Sequence, residues 1–388
     1  MNFKLTPDQE AIREAIFKVC GRFDDDYWLK KDTEGGFPED FYKAIAKDGW
    51  VGICIPEEYG GSGLGVTEAC LMMGAISESG AGMSGASAIH INIFGVNPVA
   101  VHGTEEQKRR MLPPMAQGKV KSCFAVTEPN TGLNTTKLKT KAVKRGDRYI
   151  VDGQKVWIST AQVAEKMLLL ARTTPIEEVK NPTDGLSLFY TNLDRSHIEA
   201  RVIDKMGRKA VDSNELFIDG LEVPVEDRIG EEGKGFKYIL EGMNPERMLI
   251  ASEAIGLGRI ALKRATKYAK QRIVFDRPIG MNQSIQHELA KNWMALEAAD
   301  LMTMQAAWQY DNKMPCGAAA NAAKYLAGEA GFKACETAVM THGGFGYAKE
   351  YHVERYLREV LIPRIAPISP QLVLCFVAEK VLGLPKSY

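Results

Sequence analysis

The chain has 388 residues, 45% of them hydrophobic, with Lys+Arg and Asp+Glu both at 49 and a formal net charge of zero. That length exceeds one ordinary core and predicts two or three domains, while the balanced charge gives no general electrostatic footprint for nucleic acid or an anionic membrane. The seven cysteines are scattered, odd in number and without C-x-x-C or Cys/His ligand spacing; this speaks against a disulfide framework or a metal site and suits a reducing compartment.

The opening Met1-Asn2-Phe3-Lys4-Leu5 does not read as a signal peptide, because Asp8 and Glu10 arrive before any apolar run. It also lacks the Arg-rich, acid-poor bias of a transit peptide. No run of roughly 18 apolar residues is present to span a bilayer, so no membrane insertion is expected. The expectation is a cytoplasmic protein, or the mature form of a matrix protein. Residues 1–120 read as helices. Thr6 followed by Gln9 is a capping-box pattern, and apolar residues recur at Ile12, Ile16 and Val19. Pro56-Glu57-Glu58-Tyr59-Gly60-Gly61 reads as a turn. Thr104 opens a further helix, which Pro113-Pro114 is expected to end.

From 121 to 235 the texture changes to short alternating runs separated by Gly, Asp, Asn and Pro clusters. They are Val120–Val126, Tyr149–Ile158, Met167–Ala171, Leu186–Tyr190 and Glu215–Ile218. They predict an antiparallel β-domain, left through the linker Gly230-Glu231-Glu232-Gly233-Lys234-Gly235. From 236 to 388 helical stretches return, over Phe236–Arg272, Ser284–Asn312, Gly317–Thr341 and about Pro370–Leu382.

Four motifs then stand out in order. Phe124-Ala125-Val126-Thr127-Glu128-Pro129 and Val156-Trp157-Ile158-Ser159 bracket a Gly/Asn/Thr-rich loop from Asn130 to Thr136. Downstream lie Arg272-Ile273-Val274-Phe275 and His342-Gly343-Gly344-Phe345-Gly346-Tyr347. Each alone is ordinary: a strand Trp usually packs in a core, and a Gly-Gly pair usually makes a turn. As an ordered set extending from Leu5-Thr6-Pro7-Asp8-Gln9 to the last helix, the sequence resembles the FAD-dependent acyl-CoA dehydrogenases. The resemblance implies an α+β multidomain fold: an N-terminal helical domain, a middle β-barrel domain and a C-terminal four-helix bundle. It assigns the FAD cradle to Phe124, Val126, Thr127, Trp157 and Ser159, with Ser369 and Gln371 near the C-terminus. Arg272, Phe275 and Gln283 are implied to reach a second subunit's dinucleotide, for which arginine's planar fork suits a pyrophosphate. Gly343-Gly344 would let the backbone approach the cofactor.

Departures from the family pattern are equally plain. Thr-Glu-Pro-x-x-Gly-Ser-Asp appears as Thr127-Glu128-Pro129-Asn130-Thr131-Gly132-Leu133-Asn134, which removes a hydroxyl near the ligand at Leu133. A glutamine usual ahead of the Gly-Gly pair is Met340. With Arg358-Glu359 fixing the register, the usual base glutamate falls on Pro367, and Ala366 replaces a bulky Tyr, which hints at room for a branched, cyclic or long acyl chain. The isovaleryl-CoA and long-chain members carry the base elsewhere, on a C-terminal-domain helix just before an arginine. Here Asn244-Pro245-Glu246-Arg247 places Glu246 there. Taken alone, Glu246 after Pro245 reads as a first-turn glutamate of a helix.

The resemblance further implies that the backbone N–H at position 367 donates to the thioester carbonyl. Proline has none, and one lost donor of that kind costs about 2.7–4 kcal/mol of transition-state stabilisation unless an amide such as that of Ile368 replaces it. Asn244 stands where an acidic partner of Arg247 is usual, leaving Arg247 freer to meet the CoA moiety; a solvent-exposed Arg is the plain alternative. None of the six histidines falls at a base-like position in the motifs, and His342 reads as a replacement for an apolar residue. The implied partners are an acyl-CoA, an electron-transfer flavoprotein and further copies of the chain in a homotetramer. Two alternatives stay open: an enoyl-CoA reductase or other flavoprotein with a different ligand, and a non-catalytic subunit paired with an active paralogue.

Overall fold

A computed structural model describes residues 4–387; Met1–Phe3, on which part of the signal-peptide reading falls, and Tyr388 lie outside the described residues. The first region is helical: α1 (Pro7–Cys20), α2 (Asp25–Glu34), α3 (Glu39–Lys47), α4 (Val66–Ile76), α5 (Gly82–Phe94), α6 (Asn97–His102) and α7 (Glu105–Ala116). The Thr6/Gln9 capping box forms as expected, each side chain taking the other's backbone N–H. Pro113-Pro114 does not end α7, which continues to Ala116. Their missing N–H groups remove two ladder bonds, those to the carbonyls of Arg109 and Arg110. The prolines' own carbonyls still accept from Gln117 and Lys119.

The middle region holds β1 (Ser122–Ala125), β2 (Lys141–Arg145), β3 (Arg148–Ser159), β4 (Lys166–Arg172), β5 (Leu186–Asn192), β6 (Ile198–Val202), β7 (Ser213–Pro224) and β8 (Arg228–Ile229). The hydrogen-bonded order is β6-β7-β3-β2-β4-β5-β8, with β1 also on β4. The sheet is not wholly antiparallel: β1 pairs with β4 in parallel over four residues, and β2 touches β4 in parallel at Lys141–Arg172. The connection from β1 to β4 passes through the β2–β3 hairpin, long enough to return the chain in the same direction. Three strands with little sequence signal, β2, β6 and β8, complete it.

The last region contains α8 (Gly235–Gln271), a two-stranded hairpin of β9 (Ile273–Val274) and β10 (Arg277–Pro278), then α9 (Gln283–Asp311) and α10 (Gly317–His342), followed by α11 (Val353–Glu359), α12 (Leu361–Ile365) and α13 (Pro370–Phe376). The stretch Val353–Val381 is long and apolar enough in composition to cross a membrane, contrary to the sequence expectation. It is cut, however, into α11, α12, α13 and a final π-turn, with non-helical residues Ala366 to Ser369 between α12 and α13.

Long α8, with a largely buried apolar central stretch, is the spine of the molecule. Met248, Leu249, Ala251, Ala254 and Ile255 are buried against α4, α5 and α10, each large side chain contributing roughly 1.5–3 kcal/mol by leaving water. Gly256 makes this packing possible: a β-carbon there would collide with the carbonyl of Gly74 on α4.

Candidate active site

One wall of the site is the end of β3. The amide of Val156 donates to the carbonyl of Thr127 at 2.9 Å, which brings the two motif strands side by side. The β3–β7 register slips between Lys155 and Ile158, and at this bulge Trp157 adopts φ +62°. A bulky residue in the left-handed region is a genuine outlier, and bulges re-aim side chains next to functional sites. Trp157 is 59% exposed, so it is not core but an aromatic platform held out from the sheet. Val126 is buried beneath, and Phe124 packs on Phe94 of α5 with ring centroids 5.2 Å apart.

A closed ion pair fixes this wall from behind. Lys155 is fully buried and donates to the carbonyls of Val126 (3.0 Å) and Leu170 (2.8 Å) and to Glu128 (3.0 Å). Glu128 also accepts from the amides of Lys139 (2.6 Å) and Thr140 (2.8 Å) and from the Thr140 hydroxyl (2.5 Å). Burial pulls the Lys155 ammonium down to about 8 despite Glu128. For Glu128, burial works the other way, but Lys155 and the donors outweigh it and hold the carboxyl below its ordinary value. The loop Asn130–Thr136 hangs from this anchor, with Leu133 57% exposed and Asn134 accepting from the Thr136 hydroxyl.

The opposite wall is α8. Glu246 lies eleven residues inside this helix, and Pro245 stands in its interior, so the first-turn reading of Glu246 does not hold. Its Oε2 is buried and has no hydrogen-bond partner. Burial raises the carboxyl to about 7, against the pull of His90, Arg247 and Lys324 and with the push of Glu253. Arg247 is neither exposed nor freed: it donates to Asn244 at 3.0 Å, and its Nε is buried without a partner. An amide oxygen therefore replaces the expected carboxylate at that place.

Near Glu246 is the segment between α12 and α13. Buried Lys324 of α10 donates to the carbonyls of Arg364 (3.1 Å) and Ile368 (2.6 Å) and is pulled down to about 8, by burial first. Ala366 and Pro367 are half-buried there, and the Ile368 amide donates to no acceptor among the described residues. Ser369 spends its hydroxyl as the N-cap of α13, accepting from Leu372 at 3.3 Å, and Gln371 is exposed on the first turn.

The remaining predicted cofactor residues are not brought to this end. Arg272 follows Glu246 by 26 positions along α8, roughly 39 Å of helical rise. It is exposed, lies 5.8 Å from the Phe345 ring centroid and pairs with no carboxylate among the described residues. Phe275 and Asp276 form the hairpin turn at φ +50° and +60°, and Phe275 is 93% exposed. Gln283 is exposed at the start of α9. Gly343 has φ +61°, and a β-carbon on Gly343 or Gly344 would meet no heavy atom within 4 Å. A projecting aromatic platform at one end, with an open Gly-Gly backbone and an unpaired guanidinium at the other, fits a flavin ring and a pyrophosphate respectively.

Three participants carry no motif signal. Arg208, buried and itself at φ +56°, donates to Ser159 (3.1 Å), to Ser87 of α5 (3.0 Å) and to Ser213 (3.3 Å). His90 of α5 meets Glu253 of α8 at 2.5 Å through Nδ1. The available signal was a lone charge in an apolar run, as in Leu249-Ile250-Ala251-Ser252-Glu253-Ala254-Ile255, since such a charge demands a partner.

The acyl-CoA dehydrogenase N-terminal, middle and C-terminal domain models match residues 6–119, 123–221 and 233–367. The chain is 36% identical over 392 residues to the acyl-CoA dehydrogenase FadE12 of Mycobacterium tuberculosis, covering 100% of this chain and 99% of that protein. It is 34% identical over 332 residues to the caffeyl-CoA reductase-Etf complex subunit CarC of Acetobacterium woodii, covering 84% and 86%. Its fold superposes on the butyryl-CoA dehydrogenase of Megasphaera elsdenii with a TM-score of 0.93 at 28% identity, covering 98% of this chain and 100% of that one.

Proposed function

This chain belongs to the acyl-CoA dehydrogenase family of FAD-dependent oxidoreductases, and from that premise we propose that it oxidises an acyl-CoA thioester to the trans-2-enoyl-CoA with Glu246 as the base. The observation carrying this reading is the unpartnered, desolvated Oε2 of Glu246, a carboxyl raised to about 7. A general base works best when its pKa lies near the operating pH. Glu246 takes the α-proton as the α,β carbon–carbon single bond becomes double. FAD, when bound, supplies the acceptor for the hydride leaving the β-carbon.

Within this reading Phe124, Val126, Thr127, Trp157 and Ser159 hold the ring end of FAD, while Gly343-Gly344, Arg272, Phe275 and Gln283 hold its pyrophosphate and adenosine. Because Arg272 lies 26 positions along the chain from Glu246, roughly 39 Å of helical rise, the second set serves a neighbouring copy, so the protein works as at least a dimer, assembled as a homotetramer. The apolar side chains exposed on α9, Trp293, Met294, Leu301 and Trp308, support such a contact. Gln371 stays with the cofactor set, whereas Ser369 contributes there through its backbone, its hydroxyl being committed to the cap. Asn244, Arg247, Leu133, Ala366 and Pro367 face the thioester and its CoA. The free Ile368 amide is the donor that offsets the proline at 367. Domains of 1–120, 121–235 and 236–388, a cytoplasmic setting and an electron-transfer flavoprotein as electron acceptor complete the proposal.

Anaerobic titration with a panel of acyl-CoAs, following the flavin visible band, tests it. Bleaching by a thioester that Glu246→Gln abolishes, with binding retained, is the expected result. The likeness to CarC favours a second reading, reduction of an enoyl-CoA. Flavin that no saturated thioester bleaches, but whose reduced form an enoyl-CoA reoxidises, would replace the first reading with this one.

A further inference from the structure

Beyond the base, the seam between α5 and α8 holds charge where a hydrocarbon chain needs none. Glu253 stands two helical turns from Glu246 on the same helix, about 10.5 Å along its axis, and is fully buried. His90 reaches it from α5 through Nδ1, which leaves Nε2 without a partner. Glu253 Oε2 is likewise unpartnered and buried, and so is Nε of Arg208. Arg208 has no carboxylate in salt-bridge contact among the described residues, yet lies within electrostatic reach of Glu253, Glu359, Asp212 and His90. Glu246 is coupled to His90 and Glu253, so all four groups share one enclosed region.

This arrangement is costly unless something completes it. Buried polar atoms without partners cost more than a hydrogen bond returns, and Arg208 adds a left-handed backbone that outliers at ligand clamps typically show. Burial alone would push His90 down, but Glu253 outweighs it and holds the imidazole above its ordinary range. Glu253 and Glu246 both act on His90, and Glu253, Glu359 and Asp212 on Arg208, so charge is already balanced and the spare capacity is a donor at Arg208 Nε beside an acceptor at Glu253 Oε2.

We infer that the acyl group of the substrate carries an oxygen function, hydroxyl or carboxylate, on its distal carbons, and that His90, Glu253 and Arg208 recognise it. This rests on the acyl-CoA reading above. His90 and Glu253 are specificity residues that touch the acyl end, and Arg208 links that end to Ser159 at the flavin wall. A plain alkyl chain leaves the donors and the acceptor unpaired, and sites built around a substrate hydroxyl discriminate strongly against analogues that lack it.

The test uses the FAD-loaded protein under anaerobic conditions and measures binding by calorimetry separately from flavin bleaching. The thioesters are matched sets at four and six carbons: butyryl-, 4-hydroxybutyryl- and succinyl-CoA, and hexanoyl-, 6-hydroxyhexanoyl- and adipyl-CoA. At one length or the other, an oxygenated thioester is expected to bind at least about tenfold more tightly than its alkyl match. The preferred member tells hydroxyl from carboxylate. His90→Phe with Glu253→Leu should erase or reverse that ratio, whereas His90→Gln with Glu253→Gln, which keeps hydrogen bonding and guards against misfolding, should retain most of a hydroxyl preference. Equal or tighter binding of the alkyl thioesters to the native protein overturns the inference, as does an unchanged ratio in the apolar double variant, which would make the pair a helix-to-helix tie only. Discriminating binding without bleaching would sink the dehydrogenase reading and keep the recognition. Bleaching by alkyl thioesters without discrimination does the reverse.

Discussion

Two buried ion pairs in this chain look chemically alike, yet only one is closed. Lys155 and Glu128 behind the flavin wall have every hydrogen-bonding atom engaged, with two carbonyls, two amides and a hydroxyl completing the set. His90 and Glu253 in the α5–α8 seam leave a ring nitrogen and a carboxylate oxygen without partners, beside an equally unpartnered oxygen of Glu246 and Nε of Arg208. A fully satisfied polar network rigidifies its surroundings, whereas a partly satisfied one marks what the native protein expects to receive. The first pair sets geometry, and the second awaits a ligand.

The sharpest way to break this contrast is to remove one member from each side. Glu246→Gln should slow flavin bleaching by an acyl-CoA about 10²–10⁴-fold, the usual worth of a positioned base, with little loss of thioester binding. Single-turnover kinetics read this directly, and an unchanged rate would move the base elsewhere. Lys155→Met should act on stability instead. It strands the Glu128 carboxylate, and breaking a buried pair from one side costs about 3–5 kcal/mol. A large fall in the thermal midpoint is expected, and flavin loss only as its consequence. If Lys155→Met unfolds no earlier than the native protein, the pair is not what holds the wall.

A smaller effect concerns pH. Burial raises Glu246 to about 7, and the carboxylate is the form that accepts a proton. Below pH 7 the group protonates, so the rate of flavin reduction by the free enzyme and substrate should fall about tenfold per unit, and above it the rate should level off. Lys155–Glu128 predicts no such dependence, because neither group contacts substrate. A profile flat from pH 5 to 8 would count against Glu246 as the titrating base.

What could be read in advance divides along the same line. Local chemistry was legible: the Thr6 cap, the long helices, the strand that ends just before Thr127 and the strand carrying Trp157 follow from neighbours a few residues apart. Glu246 was legible through register, and the predicted helical stretch Phe236–Arg272 already set it inside a helix, although Pro245 taken alone mimics a helix start. The parallel pairing of β1 with β4 is not legible, since its partners lie over 40 residues apart and leave no period in either strand. His90 and Glu253 are separated by 163 residues, and each looks like an isolated charge in an apolar helix until the fold joins them. Pro113-Pro114 does not mark the end of α7, because two lost N–H bonds leave the prolines' own carbonyls still accepting from Gln117 and Lys119.

The least of these effects separates function from stability most cleanly. If the open cluster is kept for its ligand and not for the fold, then removing its unsatisfied atom should not destabilise the protein. Glu246→Leu deletes a buried, unpartnered carboxyl oxygen from a helix whose neighbours Met248, Leu249 and Ile250 are apolar and buried. An unsatisfied buried polar group costs about 1–3 kcal/mol, and Glu246 is only half-buried overall, so the low end applies. The variant should therefore be inactive and, measured without thioester, about 1 kcal/mol more stable, the trade expected where an active site holds strain. Thermal unfolding of the two proteins side by side decides it. A lower midpoint for Glu246→Leu would mean that this carboxyl, like Glu128, belongs to the scaffold, and the contrast between the two buried clusters would dissolve.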